Sequence, residues 1–146
     1  MSDPKKQLFQ IYFAGASLSF GFPFFLVELI SLIIGEEFLN EYSVIFGFIY
    51  ITLHLIGGLF GGALVARRVE KADILRAAAT SGLLAYLLHQ IIYYLFYGVS
   101  VVGDTYTLFA LLGGSMVGAL YMRQKRIKII EEENVEEEKE EEDLSS

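Results

Sequence analysis

The stretch LIGGLFGGALVARR (residues 55–68) decides the fold, because it joins a glycine-rich apolar segment to a basic end. It closes a run, residues 44–66, that contains no Asp, Glu, Lys or Arg. A helix needs about 20 consecutive apolar residues to cross roughly 30 Å of hydrocarbon. The run therefore predicts a membrane-spanning helix that ends at Arg67 and Arg68.

Three more apolar runs, residues 8–34, 74–97 and 106–122, extend this prediction to four spans. Backbone N–H and C=O groups in lipid must be paired within a helix or a closed barrel, and these runs lack the alternation of barrel strands. The chain is 54% hydrophobic with a mean hydropathy of +0.49, which is typical of a membrane protein. We expect an all-α membrane protein in the lipid bilayer, with residues 1–7 and 123–146 outside the spans.

The basic residues predict the orientation. Ten of the eleven Lys and Arg residues fall into three groups, which alternating spans place on one side of the membrane: Lys5 and Lys6; Arg67, Arg68, Lys71 and Arg76; Arg123, Lys125, Arg126 and Lys128. The eleventh, Lys139, is in the tail that follows the fourth span. The opposite connections hold acidic residues instead: Glu36, Glu37, Glu41 and Asp104. The positive-inside rule then predicts a multi-pass protein of the cell membrane with both termini in the cytoplasm.

The opening stretch occurs twice. Residues 55–68 align without gaps on LLGGSMVGALYMRQ (residues 111–124), and half of the positions are identical. Both segments run towards a basic group, so the predicted repeat unit is a helical hairpin used twice in the same orientation. The alternative is that glycine-rich membrane helices resemble one another by composition, but the shared Leu, Ala-Leu and Arg around the glycines favour duplication.

The glycines of the repeat predict how the spans pack. Lipid is as apolar as leucine, so membrane helices associate where small residues let their backbones come close. Residues 57 and 61, 58 and 62, and 114 and 118 form G-x-x-x-G pairs. We expect the second and fourth spans to form the tight centre of the bundle through these glycines: Gly57, Gly58, Gly61, Gly62, Gly113, Gly114 and Gly118.

Four polar side chains lie within the spans, where they are energetically costly and often functional: Glu28, His54, His89 and Gln90. Helical spacing aligns each ionisable one with small residues: Glu28 with Ala14, Ser17 and Gly21, His54 with Gly58, and His89 with Gly82 and Ala85. We therefore expect Glu28, His54 and His89 to face the bundle interior, where the three can meet. They either form a proton or ion pathway or hydrogen-bond across helices for stability alone.

Nothing in the sequence predicts an enzyme, a cofactor or a metal site. The chain lacks cysteine, nucleotide loops and zinc-protease motifs, and the histidines have no ligand-like local spacing. The segment Gly113-Gly114-Ser115, with a histidine elsewhere, resembles the serine and histidine of rhomboid-type intramembrane proteases. However, those proteases have six spans, and Ser115 falls inside a glycine packing motif.

The four spans and the repeated GG-x-x-x-G-A-L element followed by Arg resemble small uncharacterised prokaryotic, archaeal-like membrane proteins of four spans, glycine-rich in the second and fourth. This resemblance implies a fold and no activity.

The tail and the body of the chain have opposite charge. Residues 131–146 contain ten acidic residues and one lysine, a net of −9, whereas the whole chain carries −7, so residues 1–130 carry +2. Such a tail is either solvated, as a disordered or fraying helical segment, or a docking site for a basic cytoplasmic partner. We expect a non-catalytic structural or assembly component of a membrane complex or homo-oligomer that binds no nucleic acid. The alternative is a small proton-coupled transporter or channel that uses Glu28 with His54 and His89.

Overall fold

The computed structural model describes residues 4–98 and 104–145, and within these residues every long element is an α-helix. The helices are α1 (Pro4–Ile34), α2 (Glu36–Glu41), α3 (Ser43–Ala66), α4 (Ile74–Tyr97) and α5 (Thr105–Ser145). Four of them, α1, α3, α4 and α5, are long and apolar enough to cross a membrane. The predicted all-α, four-span fold is confirmed, and the chain is a multi-pass membrane protein. Parts of the predicted terminal segments, residues 1–3 and 146, lie outside the described residues.

Two glycines shape the connections at one end of the bundle. Gly35, with a φ of 83°, separates α1 from the six-residue α2, and Gly98, with a φ of 65°, ends α4 in the left-handed conformation. A residue without a Cβ adopts these angles at no steric cost. We call this the acidic end, because Glu37, Glu41 and Asp104 lie there, and the opposite end the basic end.

The α3–α5 interface is the most extensive in the bundle and is two-fold in character. A Cβ added to Gly58 would meet the carbonyl oxygen of Leu111, and one added to Gly114 would meet that of Leu55. In the repeat alignment, residue 58 matches 114 and residue 55 matches 111. The two contacts are therefore equivalent, because replacing each residue by its aligned counterpart turns one contact into the other. A reciprocal contact of this kind marks a two-fold axis, here between two parallel helices. It supports the duplicated hairpin.

Gly62 and Gly118, which are also aligned in the repeat, make reciprocal contacts of the same kind. A Cβ on Gly62 would overlap the backbone of Ser115, and one on Gly118 would overlap the backbone of Leu59, which is the residue aligned with Ser115. Backbone therefore packs directly on backbone along this interface, as glycine motifs in membrane helices permit.

The first glycine of the repeat breaks the symmetry. Gly57 and Gly61 do not face α5: they pack on α1, against Pro23, Ser19 and Gly15. Gly113, the counterpart of Gly57, would meet no described atom within 4 Å if it carried a Cβ. The prediction that Gly113 packs against another helix is therefore wrong, because α4 approaches α5 along a different face, with Gly82 against Leu111 and Leu112.

The basic end is closed by small side chains and by one arginine. Val65, Ala66, Ala77, Ala78 and Ala119 form a fully buried cluster there. Arg126 of α5 donates to the backbone carbonyl oxygens of Arg67 and of Val69, the latter at 3.1 Å. These carbonyls follow the last turn of α3, where helix geometry leaves acceptors unpaired.

The tail is not a separate element, because α5 continues without a break from the fourth span to Ser145. No Gly or Pro occurs between residues 119 and 145 to stop the helix, and Glu, Lys and Arg are strong helix formers. Of the two conformations considered for the acidic segment, the helical extension is the one present. From residue 130 onward only the backbone is described.

Candidate functional site

The two histidines of the chain meet inside the bundle. His54 of α3 and His89 of α4 are both fully buried, and their rings contact edge to face with centroids 5.4 Å apart. His54 lies one turn before Gly58, and His89 one turn after Ala85, so each extends a buried small-residue face of its helix. The prediction that these two residues face the interior agrees with the structure. We call them the histidine pair.

The hydrogen bond of His54 fixes its tautomer. Its Nδ1 lies 2.8 Å from the backbone carbonyl oxygen of Tyr50, one turn earlier. A carbonyl oxygen only accepts hydrogen bonds, so Nδ1 carries the hydrogen and donates it. In the neutral ring, Nε2 is then a bare lone pair, and this buried atom has no hydrogen-bond partner among the described residues.

In His89 the other ring nitrogen, Nε2, has the hydrogen-bond partner. Its Nε2 lies 2.5 Å from the Tyr50 hydroxyl, whereas its buried Nδ1 has no partner in the described part of the chain. Its ring contacts four Phe and Tyr rings: Phe20 at 5.9 Å, Tyr50 and Tyr86 at 6.3 Å, and Tyr93 at 4.5 Å between centroids. The histidine pair therefore presents two partnerless ring nitrogens within an apolar, aromatic shell.

Hydroxyl groups lie between the pair and the acidic end. The Tyr50 hydroxyl, which is bound to His89, lies near the side chains of Thr107 and Tyr93. The Thr107 hydroxyl in turn donates to Oδ2 of Asp104, and the Thr107 backbone N–H donates to Oδ1 of the same carboxylate at 3.1 Å. Asp104 thus caps α5 as an N-terminal acidic residue does. The negative charge of Asp104 acts on both histidines.

Sequence reasoning did not select Tyr50, Thr107 or Asp104. Tyr50 carries a recognisable signal, because it lies four residues before His54 on the same helix face. Asp104 and Thr107 match an N-cap and its third residue, a pattern that predicts a helix start and not a polar connection to another span.

Glu28 does not join the histidine pair. Its carboxylate accepts a hydrogen bond from Tyr97 near the acidic end, and it is half-buried. The residues that were expected to align Glu28 with the interior do not pack there: Ala14 and Ser17 are exposed, and a Cβ added to Gly21 would meet no neighbouring atom of the described residues within 4 Å. The expectation that all three ionisable residues meet is corrected to two of them.

Gln90 also lies apart from the pair. Consecutive residues of a helix are about 100° apart around its axis, so Gln90 and His89 point to different sides of α4. Both polar atoms of its partly buried amide are without a partner in the described residues. Two serine hydroxyls, of Ser19 and Ser115, share this condition.

The surroundings of possible metal ligands and of Ser115 were the remaining features of the site. Within residues 4–98 and 104–145, no group of three or more His, Asp or Glu side chains is arranged to hold a metal ion. Ser115 is fully buried in the α3–α5 interface, where its hydroxyl lies against Gly82. The site is therefore best described as a buried pair of imidazoles, one of which is bound to the Tyr50 hydroxyl.

No protein family, curated protein or solved structure matches this chain. Its resemblance to small prokaryotic four-span proteins stays a prediction.

Proposed function

We propose that the chain is a small proton-coupled transporter or channel in which the histidine pair binds the proton. The observation that carries this proposal is the pair of buried ring nitrogens, Nε2 of His54 and Nδ1 of His89, for which the described part of the chain offers no hydrogen-bond partner. Imidazole is the side chain that gains and loses a proton near neutral pH, and ionisable groups inside a membrane mark proton pathways.

A purely structural role of the histidine pair does not explain why two buried ring nitrogens are left unpaired among the described residues. Nearly all buried polar atoms in proteins are hydrogen-bonded, and one left unpaired costs about 1–3 kcal/mol. Two apolar side chains in place of His54 and His89 would fill the same space without that cost. A hydrogen donated from one ring to the other, or a bound water between them, would satisfy the two nitrogens together.

The orientation of the proposed pathway follows from the charges at the two ends. Lys and Arg are concentrated at the basic end, where α3 ends and α4 begins, and this end is assigned to the cytoplasm of the cell by the positive-inside rule. The acidic end then faces the outside. The carboxylate of Asp104 lies there, on the side from which an external proton arrives.

The test is proton flux into vesicles that contain the purified chain, driven by a potassium diffusion potential and followed with a trapped pH-sensitive dye. We expect His54→Gln and His89→Gln each to lower the flux on the order of 100-fold, the effect of losing a positioned proton-transfer group. Thr52→Val is the matched control, because Thr52 is on the same helix but exposed, and its hydroxyl bonds only to the Phe48 carbonyl oxygen of its own helix.

Flux at the wild-type level in both histidine variants would exclude this function. So would a wild-type flux no higher than that of protein-free vesicles, measured over a range of external pH.

A second candidate function, a non-catalytic assembly component, is supported by α5. This helix has 41 residues, which at about 1.5 Å each is roughly 60 Å, or twice the thickness of the hydrocarbon core. Its distal part carries the acidic segment, so a helical acidic arm continues from the basic end and suits a basic cytoplasmic partner, or a second copy that buries the spans.

The two candidates differ in what purification would recover. Extraction in mild detergent followed by mass measurement would give a homo-oligomer or a hetero-complex if assembly is the function. Truncation after residue 129, which keeps all four spans, would then release the partner, while the histidine substitutions would change only stability. Neither candidate function needs a catalytic residue or a cofactor.

A further inference from the structure

We propose that a cavity between α1, α2 and α3, near the acidic end, binds a segment of one hydrocarbon chain of a membrane phospholipid. The cavity has a volume of about 190 Å³. All three helices line it, with Val27 and Ile30 of α1, Leu39 of α2, and Phe46 and Tyr50 of α3 among the lining residues. This binding site goes beyond the proposed proton function and does not depend on it.

The lining of the cavity favours an apolar occupant over water. Nearly all of it is apolar, and the polar side chains among the described lining residues are Ser31 and Tyr50. The hydroxyl of Tyr50 is already bound to Nε2 of His89 at 2.5 Å. A buried water needs roughly 2–4 polar partners, whereas apolar cavities stay dry and take up apolar molecules. The ligand is therefore expected to be a hydrocarbon.

The cavity is accessible from the surface of the bundle. Val27 and Phe46 in its wall are half-buried, and Ile49, which also lines it, is 37% exposed. On the same two helices, Phe25 is 64% exposed and Phe48 is 69% exposed. An apolar surface of this kind on a multi-pass membrane protein is in contact with lipid. The mouth of the cavity therefore opens into the bilayer.

The depth of the cavity lies within the acyl chains of one leaflet. Val27 and Ser31 are seven and three residues before the end of α1, and Phe46 and Tyr50 are three and seven residues after the start of α3. At about 1.5 Å per residue, the cavity extends roughly 5–10 Å from the ends of both helices, and half of the hydrocarbon core is about 15 Å thick. Acyl chains are therefore the solvent at its mouth.

The volume of the cavity suits a chain segment and excludes larger occupants. A cavity of about 150 Å³ holds benzene, so one of about 190 Å³ has room for about six to eight carbon atoms. A helix of a second copy, with a diameter of roughly 10 Å, cannot enter it. The gain on binding is packing, because atoms that line a void lack dispersion contacts on one side and a hydrocarbon chain supplies them.

Helix α2 makes the cavity more than a gap between two spans. It follows Gly35, whose φ of 83° sets the direction in which α2 leaves α1, and its Leu39 side chain lines the cavity. The ring of Phe38 contacts those of Tyr42 and Phe46, with centroids 4.4 and 6.3 Å apart. These contacts hold α2 against the start of α3, so the cavity has a third wall.

The proposed lipid site is adjacent to the histidine pair but distinct from it. Tyr50 belongs to both, because it lines the cavity and its hydroxyl binds His89. Neither His54 nor His89 is among the described residues that line the cavity. Substitutions on the α1 side of the cavity therefore test the lipid site without touching the histidines.

The test is photolabelling of the full chain in phosphatidylcholine vesicles, in which a small fraction of the lipid carries a diazirine at the middle of one acyl chain. After irradiation, peptide mass spectrometry gives the labelling of each residue. In the wild type we expect Leu39 and Phe46, which are half-buried, to be labelled at least as strongly as Phe48, which is 69% exposed. Labelling of Leu39 and Phe46 far below that of Phe48 would overturn the proposal, because water or a second copy would then cover the cavity.

Val27→Phe adds a ring where the acyl chain is proposed to lie. It should lower the labelling of Leu39 on the order of 10-fold, because the ring takes up the volume of the cavity. Val44→Phe is the matched control: it is the same change at a side chain that is 72% exposed and is not among the described lining residues. Its labelling of Leu39 should equal that of the wild type. The labelling of exposed Phe25 should be the same in all three chains and reports correct insertion.

Ser31→Leu is a second variant that fills the cavity, one turn further along α1, and it keeps the test decisive if Val27→Phe does not fold. It should also lower the labelling of Leu39. Wild-type labelling of Leu39 in either filling variant, with Phe25 labelled normally, would overturn the proposal. Proton flux has no part in these measurements, so their failure leaves the proposed proton function standing, and a chain that conducts no protons can still bind the lipid chain.

Discussion

The two halves of the bundle are built from different chemistry. In the half nearer the basic end, helices touch through backbone atoms and small side chains, as at Gly62 against Ser115 and Gly118 against Leu59. In the half nearer the acidic end, the contacts are between aromatic rings, hydroxyls and the histidine pair. At its glycine contacts the first half has no room for an added side chain, whereas the second half holds the two ring nitrogens that have no partner among the described residues. We infer that stability is concentrated in one half and function in the other.

The largest expected effect is from filling the glycine contacts. Gly62→Leu would place a side chain where a Cβ alone already overlaps the Ser115 backbone, so α3 and α5 must separate. Overpacking of this kind usually costs about 1–3 kcal/mol, and here, where backbone meets backbone, we expect more than about 3 kcal/mol and loss of the folded chain. The measurement is the fraction recovered as a single monodisperse species after detergent extraction.

Gly113→Leu is the matched control for this prediction. It lies in the same repeat motif but has open space beside it, so the variant should be recovered like the wild type. Equal recovery of Gly62→Leu and Gly113→Leu would contradict the division of the bundle into two halves.

An intermediate effect tests the two-fold relation between α3 and α5. Because Gly58 and Gly114 make reciprocal contacts, Gly58→Ala and Gly114→Ala should destabilise by similar amounts, each about 1–3 kcal/mol. The double variant should cost less than the sum, since once the helices have moved apart the second Cβ meets less resistance. Unfolding in a series of denaturing detergent mixtures measures all three. Costs that differ by more than about 2 kcal/mol between the single variants would contradict the reciprocal interface.

Much of the fold could be predicted, because the membrane restricts it to helices of known length. The first and third spans begin and end within four residues of the structure, and the glycine contact between the second and fourth was read from their spacing. The prediction of which helix face is buried was wrong where small residues lie on more than one face of the helix. Helix α1 has Ala14, Ser17 and Gly21 on one side and Gly15 and Ser19 on another, and composition does not tell which side is buried.

Only part of the candidate site, the histidine pair, could be predicted from the sequence. His54 and His89 are polar in an apolar run, so their cost in lipid draws attention to them. Asp104 and Thr107 lie at a helix start, where such residues are ordinary, and their position near Tyr50 depends on tertiary packing that no local pattern encodes. A residue whose function comes only from its neighbours in space is not visible in the sequence.

The smallest expected effect concerns Ser115, a polar residue in the glycine-packed half. Its hydroxyl has no partner among the described residues, whereas the equally buried hydroxyl of Ser81 donates to the Tyr12 carbonyl oxygen at 3.3 Å. Ser81→Ala should therefore destabilise by about 0.6 kcal/mol, the average for a hydrogen bond between membrane helices. Ser115→Ala should be neutral or stabilising, because it removes an unpaired buried group. Both are read from the same unfolding series. If Ser115→Ala instead lowered proton flux while leaving stability unchanged, function would extend past the histidine pair into the glycine-packed half, and the division between the two halves would no longer hold.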